Sequence, residues 1–132
     1  MLEIERATAS DFPAIDQLAR LLHGDEVRPV TVVRQTSRTF VARDAGAVVG
    51  FAIATLTDYG INISGQLEEL AVGEAGQRSG TGRALVAACE AWLAGEGVDV
   101  VFVSSLTGAV GFYEAMGYQP CTGPWLYRVL SP

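Results

Sequence analysis

Apolar residues recur at helical spacing in three stretches of this 132-residue chain. Residues 12–22 and 84–93 each carry one apolar face, as amphipathic helices do. A short third helix is predicted from residue 107 or 108 to Gly117, which can supply a left-handed cap at its end. The apolar faces of the first two helices consist of Phe12, Ile15, Leu18, Ala19 and Leu22, and of Leu85, Val86, Cys89, Trp92 and Leu93.

Period-two alternation and short apolar runs predict strands between these helices. Two β-rich runs on either side of Asp44-Ala45-Gly46 predict a hairpin, and Gly50 in the second run suggests a bulge or a close backbone contact. Residues 25–37 are compatible with a short helix opened by Pro29 or with extended chain. The predicted strands are residues 2–6, 39–43, 47–56, 66–72 and 98–103, with one or two more between residues 118 and 130.

The order of these elements predicts the fold class. The unit from Gln66 to Val103 is strand, helix, strand, so its two strands should be parallel and joined by a right-handed crossover. Residues 98–103 are almost continuously apolar, which is typical of a central strand covered on both faces. Because the remaining strands are mostly antiparallel, the expected architecture is α+β with a mixed sheet.

Composition limits the classes of function. Hydrophobic residues make up 49% of the chain and charged residues 18%, which predicts a globular protein, with residues 1–132 as a single domain. No signal peptide or membrane span is visible, so we expect a cytoplasmic protein. Cys89 and Cys121 fit neither a disulfide framework nor a metal site. The formal charge of −6 argues against nucleic-acid or anionic-membrane partners. It is compatible with a cationic ligand such as an amine, or it only aids solubility.

A glycine-bearing turn directly precedes the second predicted helix. The first backbone N–H groups of a helix have no intrahelical acceptors, and the helix dipole adds positive charge there, so the turn suits a phosphate. Glycines let the phosphate approach the backbone, and two arginines add charge. The residues of this loop are Gln77, Arg78, Ser79, Gly80, Thr81, Gly82 and Arg83.

The loop fits neither of two common phosphate-binding patterns. It lacks the Gly-Lys-Ser/Thr end of a Walker loop, and Leu85 stands where the dinucleotide fingerprint needs a third glycine. What remains is Gln-x-x-Gly-x-Gly after a strand, and with it the chain resembles the GNAT superfamily of acyl-CoA-dependent N-acyltransferases. Residues 109–118, Ala-Val-Gly-Phe-Tyr-Glu-Ala-Met-Gly-Tyr, match the second motif of that family. The resemblance extends from Thr39 to Tyr118, with a compatible start at Leu2.

The resemblance implies a fold, a donor and a reaction. The expected fold is a GNAT-like mixed, mostly antiparallel sheet of six to seven strands, with helices on both faces and a parallel βαβ unit at the centre. The implied activity is transfer of an acetyl group from acetyl-CoA to a primary amine by direct attack in a ternary complex, without a metal. A small cationic amine is slightly favoured over a protein amine as the acceptor, and a homodimer is left open.

The resemblance also implies roles for particular residues. An acid on the strand before the loop, Glu68 first and Glu69 second, would act as the base or bind the amine. Successive strand residues face opposite sides, so both can enter one pocket only if the strand is bulged. Tyr113 would donate a proton to the departing thiolate. The cofactor would be held by the backbone of Leu70, Ala71 and Val72 and by the seven loop residues 77–83.

Each of these assignments has a structural alternative. Glutamates are mostly solvated surface acids, and Tyr113 could be a packed aromatic. Trp125 and Tyr127 could line an acceptor pocket or pack at a core or an edge. Leu106 replaces an asparagine that contacts CoA in many family members. For the whole protein, the alternatives are an acyl-CoA-binding module without catalysis and a nucleotide binder.

Overall fold

The structure, a computed structural model, describes residues 1–25, 33–60, 62–77, 79–123 and 125–131. Three α-helices and four strands are formed in this part of the chain. Short 3₁₀ turns precede the first and third helices and follow the third strand. In chain order the elements are α1 (Phe12–His23), β1 (Arg34–Asp44), β2 (Ala47–Asp58), β3 (Ile63–Val72), α2 (Thr81–Gly95), β4 (Val101–Val103) and α3 (Val110–Ala115).

The four strands form one mixed sheet in the order β1-β2-β3-β4. The pairs β1–β2 and β2–β3 are antiparallel, and the hairpin turn at Ala45-Gly46 has both residues at positive φ. β4 lies parallel to β3, with Gly65 opposite Val101 and Leu67 opposite Val103. The predicted hairpin and the predicted parallel βαβ unit are therefore confirmed.

The core lies between one face of the sheet and α2. Alternate residues of β2, namely Ala52, Ala54 and Leu56, are almost fully buried, as expected for one face of a strand. The predicted apolar stripe of α2 packs against them, with Leu85, Val86, Cys89 and Leu93 all at 3% exposure or less. Burying a valine or leucine side chain contributes about 1.5–3 kcal/mol, so this stripe supplies much of the attraction between α2 and the sheet.

Glycines let backbone and helix approach closely at two points of this core. The Gly50 prediction is confirmed, because the β1–β2 register shifts at this end of the hairpin and Val49 has no partner on β1. A Cβ atom at Gly50 would lie 3.0 Å from the Ala71 carbonyl oxygen. At Gly65 a Cβ atom would lie 2.8 Å from a Leu93 methyl group and 3.0 Å from a Val98 methyl group, so a larger residue would force these packed side chains to shift.

The predicted strands at the two ends of the chain are not formed, so the prediction of six to seven strands is not confirmed. Residues 2–6 are irregular and exposed, with Leu2 at 86% and Ile4 at 89%. Residues 125–130 are likewise irregular and exposed. A short strand is not stable without a partner, and period-two alternation cannot specify which edge it pairs with.

Two further expectations depended on those strands. β4 was predicted at the centre of the sheet but lies at its edge, and Phe102 and Val100 are exposed. Helices on both faces were predicted, but α1 buries none of its side chains, although it forms at the predicted residues. The helix that Pro29 would open lies outside the described residues, and from Arg34 onward that segment is extended. None of the described helices is long and apolar enough to cross a membrane.

Candidate functional site

A bulge in β3 brings the two adjacent glutamates to the same pocket. Ile53 on β2 pairs with Glu69 and the next residue, Ala54, pairs with Leu67, so Glu68 is the extra residue. A bulge disturbs the strict alternation of side chains, which is the condition under which neighbouring residues can share one side. Both glutamates are exposed and both line a pocket of about 120 Å³. We call it the glutamate pocket; residues 67–70, 103–106, Ala109 and Tyr113 line it.

The glutamate pocket lies where β3 and β4 part. Their ladder ends at Leu67 and Val103, whereas β3 continues to Val72 with only β2 as a partner. The edge of β3 that would face β4 is therefore open from residue 68 to residue 72. An open strand edge presents backbone N–H and C=O groups that can pair with an added extended chain.

Tyr113 closes one side of the glutamate pocket from α3. Its side chain is 8% exposed, and its hydroxyl has no hydrogen-bond partner among the described residues. Burial raises the pKa of the phenol above its ordinary value near 10, and the negative charge that Cys89 carries when it ionises raises the pKa further. The phenol is therefore protonated at neutral pH and can donate a proton into the pocket.

Tyr113 is held by two aromatic rings and, indirectly, by α2. Phe112 and Tyr118 each meet it edge-to-face, with ring centroids 5.0 and 5.6 Å apart. The Tyr118 hydroxyl donates a hydrogen bond of 2.9 Å to Glu90 Oε2 on α2. Gly117 has φ +96°, which confirms the predicted left-handed position after α3.

This cluster predicts a loss of stability at alkaline pH. Burial and Glu90 raise the pKa values of Tyr118 and Cys89, and burial and Cys89 raise the pKa of Tyr113. Above about pH 9 the unfolded chain releases protons that the folded chain retains, so the free energy of unfolding should fall by about 1.4 kcal/mol per pH unit per proton. Urea unfolding between pH 8 and pH 11 measures this slope. Tyr118→Phe should make the decline shallower, whereas Tyr127→Phe, at 94% exposure, should not; a flat profile would contradict the prediction.

The glycine loop is organised by its own side chains. Gln77 Nε2 donates a hydrogen bond of 3.0 Å to the carbonyl of Val72, which ties the loop to the end of β3. The Ser79 hydroxyl bonds to the Gly76 carbonyl at 2.7 Å and to the Thr81 hydroxyl at 2.8 Å. Gly80 has φ +80°, a left-handed conformation that glycine adopts without steric cost.

α2 begins at Thr81, within this loop and three residues before the predicted start at Ala84. The first i→i−4 bond runs from the Ala84 N–H to the Gly80 carbonyl, so the amides of Thr81, Gly82 and Arg83 precede it. These amides and the helix dipole suit an anion. The residues that carry these amides also contribute to a second pocket of about 290 Å³, which we call the loop pocket; it is formed by Val72, residues 76–77 and 80–83, and Phe112. The Arg83 side chain is exposed there, whereas Arg78 lies outside the described residues.

The end of β3 joins the two pockets. Leu70 lines the glutamate pocket and Val72 lines the loop pocket. Two strand residues span roughly 7 Å, so a ligand anchored in the loop could extend along β3 to the glutamates. Ala71, between them, is exposed. The predicted site residues that the structure describes thus fall into two adjoining groups around one strand end.

Some residues of these pockets were not predicted. Ser104 lines the glutamate pocket, and Phe112 packs against Gly82, where an added Cβ atom would lie 3.3 Å from its ring. The sequence did not predict Ser104 as a site residue, because it belongs to no motif and simply follows a strand. Leu106 is 84% exposed at the rim of the glutamate pocket, and the hydroxyl of Ser105 bonds to the Leu106 carbonyl at 2.8 Å.

The described residues contain no cluster of His, Cys, Asp or Glu side chains that could hold a metal ion. Both cysteines are free, with Cys89 buried and Cys121 exposed. The groups that the two pockets offer for chemistry are the glutamates, the phenol, and the backbone groups of the strand end and the loop.

Comparison with known proteins identifies the family. The acetyltransferase (GNAT) domain family matches residues 35–120 of this chain. An uncharacterized N-acetyltransferase from Chlorobaculum tepidum is 32% identical over 120 residues, which are 88% of this chain and 74% of that protein.

Solved structures show the same fold. A putative acetyl transferase from Pyrococcus furiosus superposes with a TM-score of 0.63 over 97% of this chain and 83% of its own, at 16% identity. An aminoglycoside N-acetyltransferase in complex with CoA superposes with a TM-score of 0.60 over 70% of this chain and 66% of its own, at 21% identity. With the domain match and the curated relative, these similarities show that the chain is an acetyltransferase of the GNAT family.

Proposed function

We propose that this protein transfers the acetyl group of acetyl-CoA to a primary amine by direct attack in a ternary complex. The observation that carries the proposal is the open edge of β3, which runs from the glutamate pocket to the loop pocket. One end of this edge suits an anion and the other end carries acids and a phenol. A thioester with a diphosphate at its far end has the matching arrangement of groups.

The loop pocket would hold the diphosphate. Backbone amides at the start of α2 would donate hydrogen bonds to its oxygens, and the Arg83 guanidinium would add opposite charge. Gln77 and Ser79 would act mainly by fixing the loop, because their side chains already bond to backbone carbonyls. Arg78 is proposed as a second phosphate contact.

The pantetheine chain would lie along β3 as an added strand. The backbone of residues 70–72 is paired with β2 on one side, and its other side is open. We assign the Leu70 N–H to the thioester oxygen, where it would stabilise the negative charge that develops during attack. The Leu70 side chain packs against the core and needs no chemical role.

The proton balance assigns the remaining groups. An ammonium acceptor must lose one proton before attack and a second after the C–N bond has formed. Glu68, assisted by Glu69, would accept the first and pass it to solvent. The C–S bond then breaks, and the thiolate takes a proton from Tyr113. Proton transfer from Tyr113 to the thiolate is uphill, because the pKa of Tyr113 is above that of a free thiol near 8.5. The second proton of the amine would then reprotonate the Tyr113 phenolate.

Replacing Arg83 with Glu tests the donor half of the proposal. We expect the Kd for CoA to rise by roughly 10- to 100-fold, because a charge-assisted hydrogen bond contributes about 1.5–3 kcal/mol. Calorimetry with CoA and with pantetheine, which has no diphosphate, separates the contribution of the diphosphate to binding from that of the pantetheine chain. Binding of pantetheine should stay unchanged.

Arg43→Glu, on β1, is the matched control because it changes the net charge by the same amount away from the loop. If both variants lost the same CoA affinity, the loss would be explained by the change in net charge, and Arg83 would not be a CoA contact. Thiol release from acetyl-CoA across a panel of amines tests the transfer itself. CoA binding without release of thiol for any amine would support the non-catalytic acyl-CoA-binding module instead.

A further inference from the structure

A third pocket continues the glutamate pocket on the other side of Tyr113. Its volume is about 340 Å³, which is within the range of small-molecule sites. It shares Val103, Ser104, Ser105 and Tyr113 with the glutamate pocket, so the two meet at the phenol. We call it the β4–α3 pocket; residues 102–105 and 118–121 line it, together with Gln66, Val110, Tyr113, Glu114 and Trp125.

Aromatic side chains surround this pocket. Phe102 on β4, Tyr113 on α3, Tyr118 and Trp125 all line it. Phe102 and Trp125 are 37% and 73% exposed, so apolar surface faces the open space. Aromatic faces bind apolar groups, and they attract cations at short range.

The charges around the two joined pockets have one sign. Glu68 and Glu69 line the glutamate pocket, and Glu114 lines the β4–α3 pocket. Neither pocket has an arginine, lysine or histidine among its described lining residues. The loop pocket, by contrast, contains Arg83. An anionic group is therefore favoured only at the loop, and a cationic group is favoured beyond Tyr113.

The buried phenol marks the point where the ligand would react. Tyr113 is more than nine-tenths buried, lines both pockets, and has no hydrogen-bond partner for its hydroxyl among the described residues. The hydroxyl remains accessible from the pockets, so a ligand group at the junction can accept a hydrogen bond from it.

Resting on the acetyl transfer proposed above, we infer that the acceptor is a primary amine with an apolar, aromatic body. The ammonium group would lie at the glutamates beside Tyr113, and the ring would occupy the β4–α3 pocket between Phe102 and Trp125. Gln66 and Glu114 at the margin can bond to a polar substituent on the ring. The acceptor would thus be an arylalkylamine, and small hydrophilic amines and polyamines would be poorer acceptors.

Three amines distinguish this acceptor from others. Phenethylamine carries a cation and a ring, ethanolamine carries a cation and no ring, and spermidine carries several cations. Thiol release from acetyl-CoA should give kcat/KM for phenethylamine at least about tenfold above the values for ethanolamine and spermidine, as expected for burial of one aromatic ring. The sequence contains no lysine, so the enzyme offers no side-chain amine that would compete as an acceptor.

A pair of variants ties the preference to the pocket. Trp125→Ala should lower the ratio of phenethylamine to ethanolamine kcat/KM several-fold, chiefly through KM for phenethylamine. Leu126→Ala is the matched control, because Leu126 is 91% exposed and does not line the pocket. Its ratio should equal that of the parent protein.

The outcomes separate the two proposals. Turnover of spermidine or ethanolamine that equals or exceeds that of phenethylamine would overturn the aromatic acceptor and leave acetyl transfer intact. A preference for phenethylamine that Trp125→Ala leaves unchanged would also overturn this pocket as its origin. No turnover of any amine, with CoA still bound, would overturn the acetyl transfer on which the inference rests.

Discussion

Replacing Tyr113 with Phe should lower kcat for acetyl transfer by roughly 10²- to 10⁴-fold, the usual contribution of a positioned general acid. The phenol is the one proton donor at the junction of the glutamate and β4–α3 pockets that is both nine-tenths buried and without a partner among the described residues. Without it, the thiolate must leave unprotonated or find a proton in solvent. Steady-state thiol release with a saturating amine measures the change.

The variant should keep the fold and the cofactor affinity. Phenylalanine preserves the ring that meets Phe112 and Tyr118, and the lost hydroxyl breaks no hydrogen bond that the structure describes. The Tm and the Kd for acetyl-CoA should therefore match those of the parent. Tyr127→Phe, at 94% exposure, is the control for removal of a phenol elsewhere. A Tyr113→Phe enzyme with unchanged kcat would remove this residue from the mechanism.

Replacing Glu68 with Gln should lower kcat/KM at neutral pH by about 10²-fold or more, because a general base contributes on this scale. Glu68 is the extra residue of the bulge, and it lines the same pocket as Tyr113. The loss should shrink as the pH approaches the pKa of the free amine, because a neutral amine no longer needs the base. A pH profile of kcat/KM therefore distinguishes a lost base from a damaged fold.

Glu69→Gln measures how much the second acid contributes to activity and to amine binding. Glu69 pairs with Ile53 and lines the same pocket, so we expect a smaller loss of kcat/KM and a rise in KM for cationic amines. Glu96→Gln, on the exposed segment after α2, controls for the lost charge. If Glu69→Gln lost more activity than Glu68→Gln, their roles would be exchanged. If neither variant changed the pH profile, the acceptor amine would have to be deprotonated by solvent.

Local sequence signals predicted the elements that depend on neighbouring residues. The loop and the presence of α2 follow from Gly80 and Gly82 together with an apolar period of 3.6, whereas α2 starts three residues earlier than predicted. The hairpin follows from the Ala45-Gly46 turn, and the end of α3 follows from Gly117. Each of these features depends on the backbone conformation and the apolar face of one short segment. The residues of that segment are therefore sufficient to specify it.

The failed predictions involve contacts between distant segments. Residues 2–6 have the alternation of a strand, but alternation only creates a face and does not supply a partner. Residues 98–103 have the apolar run of a central strand, yet only residues 101–103 pair, at the edge of the sheet. For the same reason the exposed apolar residues of 125–130 were assigned to strands that are not formed.

The sequence by itself was sufficient to recognise the family, and it singled out the glycine loop and the candidate reactive side chains, because each depends on a short run of residues. Only the tertiary structure decided that Glu68 and Glu69 share a pocket, because the bulge depends on how β3 registers with β2. It also decided that Tyr113, 45 residues after Glu68, lies at that pocket, and that a ring-lined cavity continues beyond it. Packing of separate segments against one sheet creates these proximities, and no local pattern encodes them.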